Sequence, residues 1–267
     1  TSNSSNSQDV MASLDVQDFS SLKETCAPFK SGKEKFKEQN YHGAINDYTA
    51  AITADATYSI AYYKRAMAYY SLNDFNNAVA DFNTYIGLVP DDQNGYYNRA
   101  LTYKQLENIT ACISDLKKVV ELQPGNTNAI LKLGNIYNEN KMYSDAVSVF
   151  TLYIKMKPTS ALGYYNRGSC YQSMGNSDSA MIDYSTALTV NPDYESAYVN
   201  RGALYTSLGN YKLALQDYNT ALTLKPEDEM AFFNRGVAYY NLKDNDSACK
   251  DWKYAAGYGL PEASTFF

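Results

Sequence analysis

Apolar residues recur along this chain at spacings of three and four, in short blocks separated by turn residues. The block from Ser196 to Leu208 places Tyr198, Arg201, Gly202 and Tyr205 on one helical face. The block from Lys212 to Leu224 does the same with Ala214, Tyr218 and Ala221. Gly209 and Asn210 lie between the two as a stop and a turn, and Pro226 ends the second. No window sustains the alternation of a strand. Each pair of blocks therefore predicts a helical hairpin. One hairpin cannot bury its apolar face alone, so it must stack on its neighbours.

The blocks repeat at a fixed interval. Pro90, Pro124, Pro158, Pro192 and Pro226 stand 34 residues apart. A small residue keeps the same step at Gly32, Ala66, Ala100, Gly134, Gly168, Gly202 and Gly236. So does a second series at Ala44, Ala78, Cys112, Ala146, Ala180, Ala214 and Ala248. Seven units without insertion run from about Glu24 to Pro261. The small residue at the eighth place lets two helices of a hairpin approach closely. Ala at the twentieth place does so for the next hairpin, and aromatics such as Tyr171, Tyr184, Tyr205, Tyr218 and Trp252 fill the gaps between layers. Ala at the twenty-seventh place (Ala51, Ala187, Ala221, Ala255) gives way to Tyr85, Val119 and Tyr153 in units two to four. Those larger side chains are expected to spread or rotate their layers.

The period, the small residue, the Tyr three places later, the Ala, the aromatic and the final Pro resemble the tetratricopeptide repeat family. The wording of units five and six, NRG…Y…LGNY…A…DY…AL…P, is close to that family's idealised form. The resemblance implies an all-α fold, a right-handed superhelical solenoid of seven helix-turn-helix hairpins. It covers residues 18–267; after the last unit Pro261 can start a short C-terminal cap, about half the length of a family capping helix, with Phe266 and Phe267 over the last hairpin, and the alternative is that this face packs on another copy. Residues 1–17, rich in Ser and Asn, read as a flexible leader. Such a leader follows a removed signal peptide or a lipid anchor, and equally marks a trimmed boundary. The compartment stays open between envelope or secreted and cytoplasmic.

The resemblance also implies that the fifth, sixth, ninth, twelfth and thirteenth places of each unit line a concave groove. An apolar stripe at the fifth place (Phe29, Tyr63, Tyr97, Leu131, Tyr165, Val199, Phe233) then runs beside a polar stripe at the sixth. Asn98, Asn166, Asn200 and Asn234 in the polar stripe can donate to and accept from a peptide unit. Relatives that bind extended peptides use asparagines in this way; the plainer alternative is that each one bonds a neighbouring helix. Lys30, Lys33 and Lys37 share one helix face, and Lys64 and Lys132 hold the sixth place of units two and four. This end is expected to attract an acidic segment or a chain's carboxyl end, unless the lysines merely solvate the first helix. The Lys-then-Asn pair of the family's two-carboxylate clamp, at the fifth and ninth places, is absent.

Composition narrows the chemistry. The net charge of −6 opposes a broad nucleic-acid-binding face. No apolar run is long enough for a transmembrane helix. Cys26, Cys112, Cys170 and Cys249 form no CxxC pair and read as small core residues, so no metal or cofactor is signalled. The lone His42 falls in a turn, and no nucleophile–base motif surrounds it. The recurring Asp81, Asp115, Asp183 and Asp217 suit a solvated or interlayer role better than acid–base work. The reading is a non-catalytic scaffold that holds a protein or extended peptide in its groove. The alternative is a module that self-assembles, as a homo-oligomer or within a larger complex, through its ends and convex face.

Overall fold

The computed structural model of the chain describes residues 27–266. The leader at residues 1–17, Cys26 and Phe267 lie outside the described residues. Fourteen α-helices follow one another among the described residues, with no strand. They divide between two compact units, the first ending at Leu133 and the second beginning at Gly134.

The first unit holds three hairpins: α1 (Ala27–Lys37) with α2 (Tyr41–Ala54), α3 (Ser59–Ser71) with α4 (Phe75–Leu88), and α5 (Gln93–Gln105) with α6 (Ile109–Leu122). The boundary between the units falls within α7 (Thr127–Glu139). The second unit continues with α8 (Tyr143–Met156), then α9 (Ala161–Ser173) with α10 (Ser177–Val190) and α11 (Glu195–Ser207) with α12 (Tyr211–Leu224). Its last hairpin is α13 (Glu229–Asn241) with α14 (Asn245–Gly257), followed by a 3₁₀ segment, Pro261–Phe266.

Local chemistry fixes the turns. The fifteenth place of each hairpin takes a positive φ, from 57° at Glu107 to 77° at Gly175. The next residue then caps the second helix: the side chains of Asn40, Asp74, Asn108, Asn176 and Asp244 each accept from the backbone N–H three residues on. The eighth place is small because an aromatic ring lies against it. A Cβ on Gly134 would stand 2.5 Å from Phe150.

The two tyrosines at the twenty-seventh place are accommodated by an exchange of volume ten residues later, whereas Val119 is followed by Ala129, both fully buried. Where Ala51, Ala187 and Ala221 occupy that place, Ala61, Ala197 and Ala231 follow, all fully buried. Where Tyr85 and Tyr153 occupy it, Gly95 and Gly163 follow, and a Cβ on either would lie 2.9 Å from the tyrosine ring. The expected spreading of these layers is thus opposed by a deleted methyl group. Each tyrosine hydroxyl also finds a partner: Tyr85 bonds the Asp92 carboxylate, and Tyr153 lies 3.4 Å from Ser160 Oγ. Cys112 and Cys170 are buried, as their helical settings imply, while Cys249 is partly exposed.

Candidate functional site

The first helix of each hairpin carries the places that sequence reasoning assigned to binding, and the structure divides their roles. Arg at the seventh place builds a rung that holds the hairpins together. Arg201 donates from Nε and Nη2 to both carboxylate oxygens of Asp217 at 2.8 Å, and from Nη1 to Ser185 Oγ at 3.2 Å. One guanidinium thereby ties α11 to its own partner α12 and to the preceding α10. Arg65–Asp81, Arg99–Asp115, Arg167–Asp183 and Arg235–Asp251 repeat the fork at 2.7–2.8 Å. Their third contacts run to Thr49, Asn83, Thr151 and Asn219. Aromatic rings flank the cation: Arg201 lies 5.7 Å from the centre of Tyr198 and 6.0 Å from that of Tyr205. The recurring aspartates are therefore interlayer ion-pair partners. The arginines were overlooked, although a sequence signal existed in five Arg–Asp pairs each separated by sixteen residues. In hairpin one Ser31 stands at the Arg place, and Asp47 pairs instead with Lys35 at 2.8 Å. In hairpin four the two places read Leu133 and Val149, and the rung is missing.

The fifth-place stripe is not open as expected. Phe29 and Tyr63 are each only 2% exposed, and Val199 is buried as well. The Tyr63 ring packs against Phe82 and Tyr85 of its own hairpin's second helix, and Asn98 of the next hairpin donates to its hydroxyl. Tyr97, Tyr165 and Phe233 remain partly exposed. Phe266 packs against Phe233, edge-on at 5.5 Å, and lies 5.1 Å from Trp252.

The asparagines separate in the same way. Asn98 is buried, at 6% exposure. Its Nδ2 donates to the Tyr63 hydroxyl at 2.7 Å and to the Asn94 carbonyl at 2.9 Å. Asn200 Nδ2 donates to the hydroxyls of Tyr165 at 3.2 Å and Tyr184 at 3.4 Å. For these two residues the neighbouring-helix alternative describes the geometry. Asn166 makes one bond, 3.3 Å to Asn135 Oδ1, and the Asn234 side chain makes none among the described residues.

The lysines gather in the first unit. Lys33 Nζ stands 5.9 Å from the Phe29 ring centre and Lys64 Nζ 5.7 Å from that of Tyr63. Burial, and then the nearby Lys33 charge, lower the Lys64 pKa below the ordinary lysine value. No carboxylate among the described residues pairs with Lys64. Lys30 is exposed, Lys37 is held by Glu34 at 2.9 Å, and Lys132 is partly buried. No group of three metal-ligating side chains occurs among the described residues, and no described helix is long and apolar enough to cross a membrane.

Comparison with known proteins agrees with this architecture. Sequence models of the tetratricopeptide repeat match residues 29–93, 94–126 and 161–194, and a TPR repeat model matches residues 202–243. No curated protein matches the chain. Among solved structures, MamA is 26% identical with a TM-score of 0.56, over 64% of this chain and 94% of its own. The C-terminal part of a TPR repeat-containing protein from Cytophaga hutchinsonii superposes with a TM-score of 0.73 at 17% identity, over 90% of this chain and 99% of its own. YrrB, a TPR protein with an unusual peptide-binding site, gives 0.54 at 20% identity, over 69% and 97%. Four repeat matches along the length, on a succession of helical hairpins shared with these structures, show that the chain belongs to the tetratricopeptide repeat family.

Proposed function

We propose that this repeat scaffold is a non-catalytic receptor for extended polypeptide, and that its first-helix faces bind with different chemistry in the two units. In the first unit the face is basic and takes an acidic segment or a chain's carboxyl end. In the second unit, from α9 onward, the ninth, twelfth and thirteenth places carry no charge and the face takes peptide backbone. The observation that carries the reading is Lys64: a partly buried ammonium beside a second one, set over an aromatic ring, with no carboxylate of its own. An ammonium in that setting gains most from an anion brought by a partner, because the partner's charge offsets both desolvation and like-charge repulsion. The peptide-binding site of YrrB adds a precedent on the same fold.

The test uses two fluorescein-labelled peptides of alternating Val and Thr, one with interspersed Glu and a free carboxyl end, the other with Gln and an amidated end. The acidic peptide is expected to bind more tightly at low salt and to lose that advantage as ionic strength passes about 0.1 M, where the screening length is about 10 Å. Lys33→Glu with Lys64→Glu should abolish the difference. Equal binding of the two peptides at low salt, or indifference to the double charge reversal, would show that the basic face is only a solvated surface.

A further inference from the structure

Four described lysines stand beside a carboxylate: Lys35 with Asp47, Lys37 with Glu34, Lys118 with Glu121 and Lys225 with Asp228. Lys64 is placed differently. Its side chain is partly buried, and its Nζ lies over the Tyr63 ring. Among the described residues it meets neither a carboxylate nor another hydrogen-bond acceptor. A ring attracts an ammonium, but it does not take up the three N–H groups as carboxylate oxygens would. The surroundings supply no compensating anion. From α1, Lys33 stands over Phe29, and its charge acts on Lys64. From α5, Asn98 meets the Tyr63 hydroxyl as an uncharged amide, and Asp92 is engaged by the Tyr85 hydroxyl and the Asn94 N–H. Burial and the Lys33 charge both favour the neutral form of the Lys64 amine. A neutral lysine amine, unlike the ammonium, is a nucleophile.

We propose that Lys64 is a site of reversible carbamate formation with carbon dioxide. The Nζ lone pair attacks the carbon, an N–C bond forms, and one C=O π pair moves onto oxygen. Nζ then gives a proton to water. Starting from the ammonium, one carbon dioxide is taken up and two protons are released, so the side chain passes from a positive to a negative charge. The setting selects this electrophile over others. An imine made with an aldehyde would be protonated and would keep a positive charge beside Lys33. An acyl group would leave an uncharged amide that gives Lys33 no partner. A carbamate replaces a like charge with an opposite one. Burial disfavours both charged forms, and the Lys33 ammonium, which opposes the cation and attracts the anion, decides between them. The adduct also reverses one charge of the basic face, so carbon dioxide should weaken the hold on an acidic segment. That consequence rests on the proposed binding face, whereas the adduct itself does not.

The whole chain is equilibrated with carbon-13 bicarbonate at neutral pH. Carbamates are fixed by alkylation with triethyloxonium ion and located by peptide mass spectrometry. The α-amino group, with an ordinary pKa of about 7.7–8.0, is the positive control. Lys64 should carry at least fivefold more label than the exposed Lys141 and Lys212, and should keep it to lower pH than they do. Lys33→Gln should cut the Lys64 label at least fivefold, and Lys64→Arg should remove it, both without a change in melting temperature. Equal label on Lys64, Lys141 and Lys212, or label on the α-amino group with none on Lys64, overturns the site. Label that survives Lys33→Gln overturns the pairing that selects carbon dioxide. At constant ionic strength, carbon dioxide should then weaken binding of the acidic fluorescein peptide severalfold in the unaltered protein and leave Lys64→Arg unaffected. Label on Lys64 without loss of peptide supports the carbamate site and counts against the basic binding face.

Discussion

The Tyr85–Gly95 exchange of volume predicts a strong coupling between two substitutions that are each damaging alone. Gly95→Ala places a methyl 2.9 Å from both Tyr85 Cδ1 and Ile86 Cγ1, inside the normal contact distance. Such overpacking costs about 1–3 kcal/mol, offset by about 1 kcal/mol because Ala is the better helix former in α5. The net loss is about 0–2 kcal/mol. Tyr85→Ala empties a site that is 3% exposed. A lost aromatic costs about 3–5 kcal/mol, and the Asp92 carboxylate loses its hydroxyl donor as well. Independent effects would sum to about 3–7 kcal/mol. The double variant instead recreates the Ala–Ala pair that packs without exposure at Ala187 and Ala197. It should lose only about 2–3 kcal/mol, a coupling of about 2 kcal/mol at the middle of the two ranges. Urea titrations of the four proteins, followed by far-ultraviolet circular dichroism, measure the cycle. Strict additivity would show that Gly95 is not a response to Tyr85, and that these layers do spread as the bulk of the side chain first suggests.

Three further outcomes follow from other contacts. Arg201→Met leaves the buried Asp217 carboxylate unpaired and should cost about 3 kcal/mol, visible as a lower urea midpoint; Arg201→Met with Asp217→Leu should regain most of it, and no regain would mean the fork is not the source. The Tyr48 hydroxyl is buried without a partner, because Phe36 stands where Gln172 and Thr206 meet the hydroxyls of Tyr184 and Tyr218. Tyr48→Phe should therefore raise stability by about 1 kcal/mol while Tyr218→Phe lowers it by a similar amount, both read by thermal melting. Burial, and then the Asp228 charge, hold the Glu195 pKa above its ordinary 4.5. The native state thus keeps this proton more tightly than the unfolded chain does. Stability falls as pH rises from about 4.5 through the folded-state value, and Glu195→Gln should flatten that part of the profile.

The fold was legible because its signals are local and repeated. Helical periodicity, prolines at a constant step and small residues at two fixed places specify hairpins wherever they occur. The predicted helix from Lys212 to Leu224 is observed from Tyr211. What escaped notice are pairings between residues that the fold alone brings together. The sixteen residues from Arg201 to Asp217 become a contact only when α12 folds back on α11. Sequence places also could not say which inward side chains the next hairpin covers. Tyr63 and Asn98 sit at nominal binding places, yet each satisfies the other in the core, whereas Asn234 is partly exposed.

The arginine rungs have a consequence for how the outside of the molecule presents charge. The chain contains five arginines, and all five are spent inside the rungs. Every cation left for a visitor is an ammonium. Guanidinium offers a flat fork that reads the shape of a carboxylate or phosphate, whereas ammonium is a compact, strongly hydrated point charge that senses proximity more than orientation. Attraction to this protein should therefore be tolerant of geometry, and it should be erasable. Acetylation removes the charge of a lysine and leaves an arginine untouched. A mild acylating reagent, or an acetyltransferase, would discharge the surface lysines while the rungs stayed locked beneath them. The five arginine rungs thus keep charge that acylation leaves untouched, and only hairpin one, where Lys35 holds Asp47, ties its helices with an ammonium that can be switched off.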